Sequence, residues 1–169
     1  MERKNLWAPW RIGYIKQLPK GTGCFLCEYC KSDEKDAENF VLWRTDKCVV
    51  TFNKFPYNNG HLLIAPMRHI ADISEATDDE QCQIMKLIVA GQKALTEAIN
   101  PDGFNIGINV GRCAGAGLPG HVHVHIVPRW DGDTNYMHVC SDTDVISQSM
   151  QELYEMLKKI SGEKGLPGL

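Results

Sequence analysis

His121-Val122-His123-Val124-His125-Ile126-Val127-Pro128-Arg129-Trp130 sets a histidine at every second position, so that three of the chain's six histidines fall within five residues. In a β-strand, positions i, i+2 and i+4 share one face. The three imidazoles therefore line one side while Val122, Val124 and Ile126 point to the other, into a core. A strand built this way needs an apolar layer beneath it and a polar face free for chemistry. The run makes the fold sheet-based.

Working outward from this strand, Gly111 to Gly120 holds four glycines and one proline and leads directly into it. Such a loop offers backbone N–H groups to an anion. Gly103 to Asn109 before it reads as a strand of period two. Thr77-Asp78-Asp79-Glu80 has the form of a capping box, and Ile84, Ile88, Gly91, Leu95 and Ile99 recur at helical spacing until Asn100-Pro101 ends the pattern. Phe40 to Trp43 and Cys48 to Asn53 form a hairpin around Arg44-Thr45-Asp46-Lys47, and His61 to Ala65 is a short strand stopped by Pro66. Ile146, Met150, Leu153, Leu157 and Ile160 mark a last amphipathic helix. Consecutive strands joined by short turns predict an antiparallel sheet with helices on one side, an α+β fold. Gly162 to Leu169 reads as a frayed tail after an ordered unit of about Asn5 to Ile160.

The chain has 169 residues, 43% of them hydrophobic, enough for one core and too few for two ordinary domains. Its net charge of −3 provides no general field for nucleic acid or an anionic membrane, so neither is expected as a partner. An anionic ligand needs a local site, to which Lys54, Arg68, Arg112 and Arg129 are candidate contributors. The first residues lack the apolar core of a secretion signal, and no run of about 18 apolar residues occurs, which predicts a cytoplasmic protein. Cys24-Phe25-Leu26-Cys27 followed by Cys30 has metal-type spacing. Cys48, Cys82, Cys113 and Cys140 are scattered and read as small packing residues.

Three uses of the histidine run compete. As packing it is awkward, because adjacent imidazoles need partners and charge on one disfavours charge on the next. As a catalytic metal site, for a hydrolase built on the His-x-His strand, it is incomplete. At roughly 3.3 Å per residue the outer two rings are about 13 Å apart, too far for one ion to hold all three. As a nucleophilic centre it makes chemical sense: a neutral imidazole can attack phosphorus while a neighbouring protonated one holds the phosphate oxygens and serves the leaving group.

His121-Val122-His123-Val124-His125-Ile126-Val127, with Asn53, Asn58-Asn59-Gly60-His61 and Pro66-Met67-Arg68-His69 upstream, resembles the histidine-triad signature of the HIT superfamily of nucleotide hydrolases and transferases. Leu6-Trp7-Ala8-Pro9-Trp10-Arg11, Gly103 to Gly107, Ala114 to Gly117, Pro128-Arg129-Trp130 and Gly132 to Met137 are most similar to its diadenosine tetraphosphate phosphorylase-like branch, and the likeness runs over nearly the whole chain. The resemblance implies a single HIT domain over 1–169. It implies His123 as the nucleophile that takes AMP from a dinucleoside polyphosphate or related adenine nucleotide, by hydrolysis or phosphorolysis. His125 assists at the phosphate and His121 orients the strand. Asn53 matches a ribose contact and Asn109 a polar residue near the leaving phosphate; Gly115, Gly117 and Trp130 complete the substrate-binding set, Trp130 being equally readable as a packed anchor. Unlike several relatives, the loop before the triad reads Gly117-Leu118-Pro119-Gly120, without Ser, Thr or Gln to help the leaving group. A nucleotide-binding regulatory module acting through a protein partner is the contrasting class.

Cys24 and Cys27 alone leave a tetrahedral Zn²⁺ unfinished. The likeness to HIT and galactose-1-phosphate uridylyltransferase-like proteins implies that His69 and His121 complete the set as a structural site tying the N-terminal segment, about 5–38, to the triad strand. Cys30 is a rival ligand. His61 reads as a residue supporting the site, His138 as a surface residue, and a homodimer follows from the resemblance, with the helix from Glu80 to Ile99 available for it.

Overall fold

The computed structural model describes residues 23–134, 140 and 145–167. A five-stranded antiparallel sheet runs in the order β1-β2-β3-β5-β4, formed by Val41–Arg44, Cys48–Phe52, Leu62–Pro66, Val124–Arg129 and Gly103–Ile108 for β1, β2, β3, β5 and β4 respectively. Helix α1, Phe25–Lys31, precedes the sheet; α2, Asp78–Ile99, joins β3 to β4; α3, Met150–Lys164, follows β5.

Side-chain parity divides the sheet into two working faces. Val50 and Phe52 of β2, Leu62 and Ile64 of β3, and Val124 and Ile126 of β5 meet Leu87, Leu95, Leu153 and Leu157 of α2 and α3 in the main core. The alternate residues Val49 and Ala65 face the opposite way, against Leu26 and Tyr29 of α1. His125 shares that second face, because it alternates with Val124 and Ile126. Helices therefore lie on both sides rather than one: α1, which the turn-like Cys-x-x-Cys spacing hides, covers part of the face that carries the histidines.

The capping box forms as predicted, with Thr77 accepting from the Glu80 N–H and Glu80 accepting from the Thr77 N–H. Glu80 is almost wholly buried and takes two bonds from Arg68, which fastens the start of α2 to the segment leaving β3. Asn100, at φ +42°, closes the other end of α2 in the left-handed region. The last helix is shifted from its expected position: Ile146 precedes it, and it runs through Gly162 to Lys164, where Gly165 at φ +62° caps it. Gly162 to Lys164 thus belong to a helix rather than a frayed tail, because Ser161 bonds into the helix and to Trp43 and carries the packing past Ile160.

Only His125 of the triad lies within β5. Its ladder to β3 ends at Ile64 opposite Val124, and His121 and His123 occupy the extended segment leading in. The reason is local: Pro66 has no N–H to continue the ladder, and its carbonyl accepts from the His121 ring instead.

Candidate active site and metal centre

The hydrogen-bond partners of each imidazole dictate its tautomer. His123 is 7% exposed, and its Nδ1 lies 2.9 Å from the carbonyl oxygen of His121. A carbonyl only accepts, so Nδ1 carries the proton and Nε2 presents a bare lone pair. His125 is set the opposite way. The Tyr57 N–H donates to Nδ1 of His61 at 3.1 Å, and the Asn53 amide lies 3.3 Å from the same nitrogen. Nδ1 of His61 is therefore an acceptor, and its Nε2–H donates over 2.9 Å to Nδ1 of His125. His125 is left with its proton on Nε2. A lone pair and an N–H thus stand side by side on rings whose centroids are 4.9 Å apart.

Burial keeps these rings neutral. It is the main cause lowering the pKa of His123, and it takes His125 to about 4 and His61 to about 3, with repulsion from neighbouring imidazoles adding to the last two. His125 is therefore a neutral N–H donor near pH 7, where the sequence suggested an imidazolium. Tyr57 lies against the pair, its ring stacked 5.8 Å from that of His125 and tilted at 4.7 Å from that of His61.

The remaining predicted contacts fall into two groups. Extending the β4–β5 register one step beyond Gly107 opposite His125 and Ile108 opposite Val124 places Asn109 across from His123, on the same face. Its amide donates weakly to the Gly115 carbonyl, over 3.5 Å, so it also pins the glycine loop. Gly115, at φ +88°, turns that loop, and its N–H donates to Arg112 rather than outward. Gly117 lies exposed on the same loop. Asn53 sits just past the end of β2, where its side chain engages His61 and accepts from the Phe55 N–H, leaving one N–H and a lone pair without a partner among the described residues. Trp130 is not brought to the triad. It follows β5, roughly 16 Å along the strand from His125, and its Nε1–H is anchored on the Asn100 carbonyl. Arg129 is paired with Asp133, and Arg68 with Glu80, so neither is an unpaired cation for a phosphate.

Cys24, Cys27, His69 and His121 come together with their four ligand atoms all within 4.8 Å of one another. Cys24 caps α1, accepting from the Cys27 N–H. Nδ1 of His121 lies 3.2 Å from the Cys24 sulfur and 3.5 Å from that of Cys27, and Nδ1 of His69 lies 3.1 Å from Cys27. The Nε2–H of His121 donates to the Pro66 carbonyl at 2.8 Å, which fixes the tautomer a metal requires by leaving Nδ1 bare toward the thiols. Two thiols and two imidazoles form the donor set of a tetrahedral zinc site, and these residues fit it. Cys30 stays outside the group and packs beside Leu26 and Tyr29.

The HIT domain family model matches residues 34–132, which include the three triad histidines. The chain belongs to the HIT family. This HIT chain is 31% identical over 160 residues to the AP-4-A phosphorylase of Mycobacterium tuberculosis, spanning 91% of the chain and 82% of that protein. It is 32% identical over 103 residues to an adenosine 5'-monophosphoramidase of Schizosaccharomyces pombe, covering 61% of the chain and 74% of the relative. In fold it is similar to a Zn-bound histidine triad family protein from Mycobacterium smegmatis, with TM-score 0.67, 22% identity, and coverage of 85% and 96% of the two chains.

Within this HIT domain His61, which the sequence reads only as a residue supporting the site, gains a specific contact. Gly60-His61 was visible as part of the motif, but nothing in a linear pattern shows that an imidazole 64 residues from His125 sets its tautomer. His138, residues 1–22 with the segment Leu6 to Arg11, and Asn135 to Met137 lie outside the described residues. Among the described residues no helix is long and apolar enough to cross a membrane.

Proposed function

We propose that this protein transfers an adenylyl group from a dinucleoside polyphosphate, or a related adenine nucleotide, through a covalent phosphoramidate on His123. The paired tautomers carry the reading: a bare Nε2 on His123 beside an Nε2–H on His125 is what in-line attack on phosphorus requires. Nε2 of His123 forms a bond to the α-phosphorus as the bond to the leaving phosphate oxygen breaks. His125 donates from Nε2 to the phosphate oxygens, and the leaving group departs with a proton or as the anion already stable near neutrality. Water or inorganic phosphate then attacks the same phosphorus, displaces Nε2, and releases AMP or ADP. Similarity to the M. tuberculosis phosphorylase over most of both chains supports the phosphate-accepting branch.

Asn109 is placed to hold the phosphate opposite His123, and Asn53 has hydrogen-bonding capacity left for a ribose. Zinc held by Cys24, Cys27, His69 and His121 would be structural, since four protein ligands leave no open position. A homodimer is supported by the position of β4 at the sheet edge among the described residues, where Ile106 and Ile108 are 40% and 38% exposed, and by Met85 and Val89 of α2, which are 61% and 44% exposed.

Diadenosine tetraphosphate supplied with and without inorganic phosphate distinguishes the acceptors: ADP formed beside ATP only with phosphate marks phosphorolysis, and AMP formed beside ATP marks hydrolysis. His123→Asn should bind nucleotide within about threefold of the parent while turnover falls at least about 10⁴-fold. Substrate labelled at the α-phosphorus should leave acid-labile label on the parent and none on the variant. Substantial turnover by His123→Asn defeats the proposal.

A further inference from the structure

The segment between the two histidine ligands and the nucleophile is short and tightly bonded. His121 is wholly buried, and both its ring nitrogens are committed, Nδ1 toward the thiols and Nε2–H on the Pro66 carbonyl. The peptide unit that follows joins the His121 carbonyl to the Val122 N–H. Its carbonyl receives the Nδ1–H of His123 at 2.9 Å, and its N–H donates to the carbonyl of Ile70 at 2.7 Å. Ile70 is the residue after His69. One peptide unit is thus held on one side by His121 and on the other by the neighbour of His69, both members of the Cys₂His₂ group.

That unit matters because of which proton it holds. A free neutral histidine prefers its proton on Nε2, which would bury the lone pair inside the protein and present an N–H to phosphorus. His123 must adopt the less populated tautomer, and the His121 carbonyl is the acceptor that enforces it. Tilting that carbonyl removes the enforcement without touching the ring.

We propose that metal occupancy of the Cys24, Cys27, His69 and His121 group locks the 121–122 peptide and thereby holds His123 in its reactive tautomer, with His121 as a positioning residue for the nucleophile. The inference rests on the reading of His123 as the nucleophile. Coordination at His69 and His121 clamps the peptide from both sides, and loss of the ion frees His69, the exposed member of the set, and with it the Ile70 bond. The fold stays, because the main core lies on the opposite face of the sheet.

The test uses the full chain labelled with ¹⁵N in histidine, compared zinc-loaded and after chelation, alongside His69→Ala and His69→Cys. Long-range ¹H–¹⁵N spectra report the His123 tautomer, metal content is measured in each sample, and circular dichroism follows the fold. Zinc-loaded parent and His69→Cys, whose thiolate restores a fourth ligand, should show the Nδ1–H form alone. The chelated parent and His69→Ala should show a mixture of tautomers. The corresponding kcat should fall about 10-fold or more with KM within about twofold, the range typical of disturbed outer metal contacts. An unchanged His123 spectrum after metal removal overturns the inference, as does failure of the purified parent to bind zinc. Global unfolding on chelation overturns it as well, since the ion would then hold the fold rather than the ring. A metal-dependent tautomer in a protein with no turnover at all upholds it while defeating the adenylyl-transfer reading.

Discussion

Replacing His61 by Phe tests the buried imidazole relay through the dependence of stability on pH. His61 is 1% exposed, and in the folded chain it takes up a proton only near pH 3, chiefly because of burial. In the unfolded chain the same group titrates near 6.5. Between these values the unfolded state binds one more proton, so acidification favours unfolding. The His61 contribution is fully present above pH 6.5 and is lost as the pH falls toward 3, at about 1.4 kcal/mol per pH unit. From pH 7 to pH 5 this amounts to about 2 kcal/mol. His125, held near pH 4 by burial and by His123, adds somewhat less because it is partly exposed.

The substitution also removes the bond to His125 and the acceptor for the Tyr57 N–H and the Asn53 amide. That should lower stability by about 2–3 kcal/mol at pH 7, where the parent benefits in full. Urea unfolding at half-unit steps from pH 7 to 5, with both proteins in the same metal state, should therefore give converging curves. The parent should lose stability more steeply, by about 1.4 kcal/mol per pH unit, and the gap should have largely closed by pH 5. His121 and His123, whose pKa values are also lowered by burial, steepen both curves alike. Parallel curves, or a parent whose stability is flat across this window, would refute the neutral relay.

Arg44→Met should loosen the metal centre from a distance, because the guanidinium holds Asp36 and the carbonyls of Tyr29 and Ser32, clamping the end of the helix that carries Cys27; zinc affinity measured by chelator competition should drop about 10-fold, while retention at parental affinity would show that the cysteine helix is held by other means. Glu at both Met85 and Val89 should convert a dimer to a monomer in sedimentation experiments, with the thermal midpoint of the isolated subunit within a few degrees, since both side chains are exposed in the single chain. A parent that sediments as a monomer rejects the dimer before the variant is made.

Much of the fold was legible because it depends on short-range pattern. The short apolar runs behind Val41–Arg44, Cys48–Phe52 and Leu62–Pro66, the period-two run behind Gly103–Ile108, the Thr77 to Glu80 box and the Asn100 stop all reflect physics acting within a few residues. Helix α1 escaped because seven residues beginning at a cysteine cap carry too little periodicity to separate from a turn. The C-terminal helix was placed early for a similar reason: Ile146 fits the spacing, but the Ser149 cap starts the helix after it, and the Ser161 bonds draw it beyond Gly162.

The same division holds at the site. Alternation alone put His121, His123 and His125 on one face, and motif likeness set Cys24, Cys27 and His69 beside His121; these residues do converge. Trp130 had two readings in sequence, a pocket wall or an anchor, and within the chain its Nε1–H bonds the Asn100 carbonyl at the end of α2. Proton positions were beyond any linear reading. Which nitrogen of His123 is bare, and which of His125 bears a proton, is decided by a carbonyl two residues away and by an imidazole on another strand. Residue identity supplies three chemically equivalent rings; only the packing that surrounds each with different acceptors and donors leaves one with a bare Nε2, one with an Nε2–H and one with both nitrogens committed.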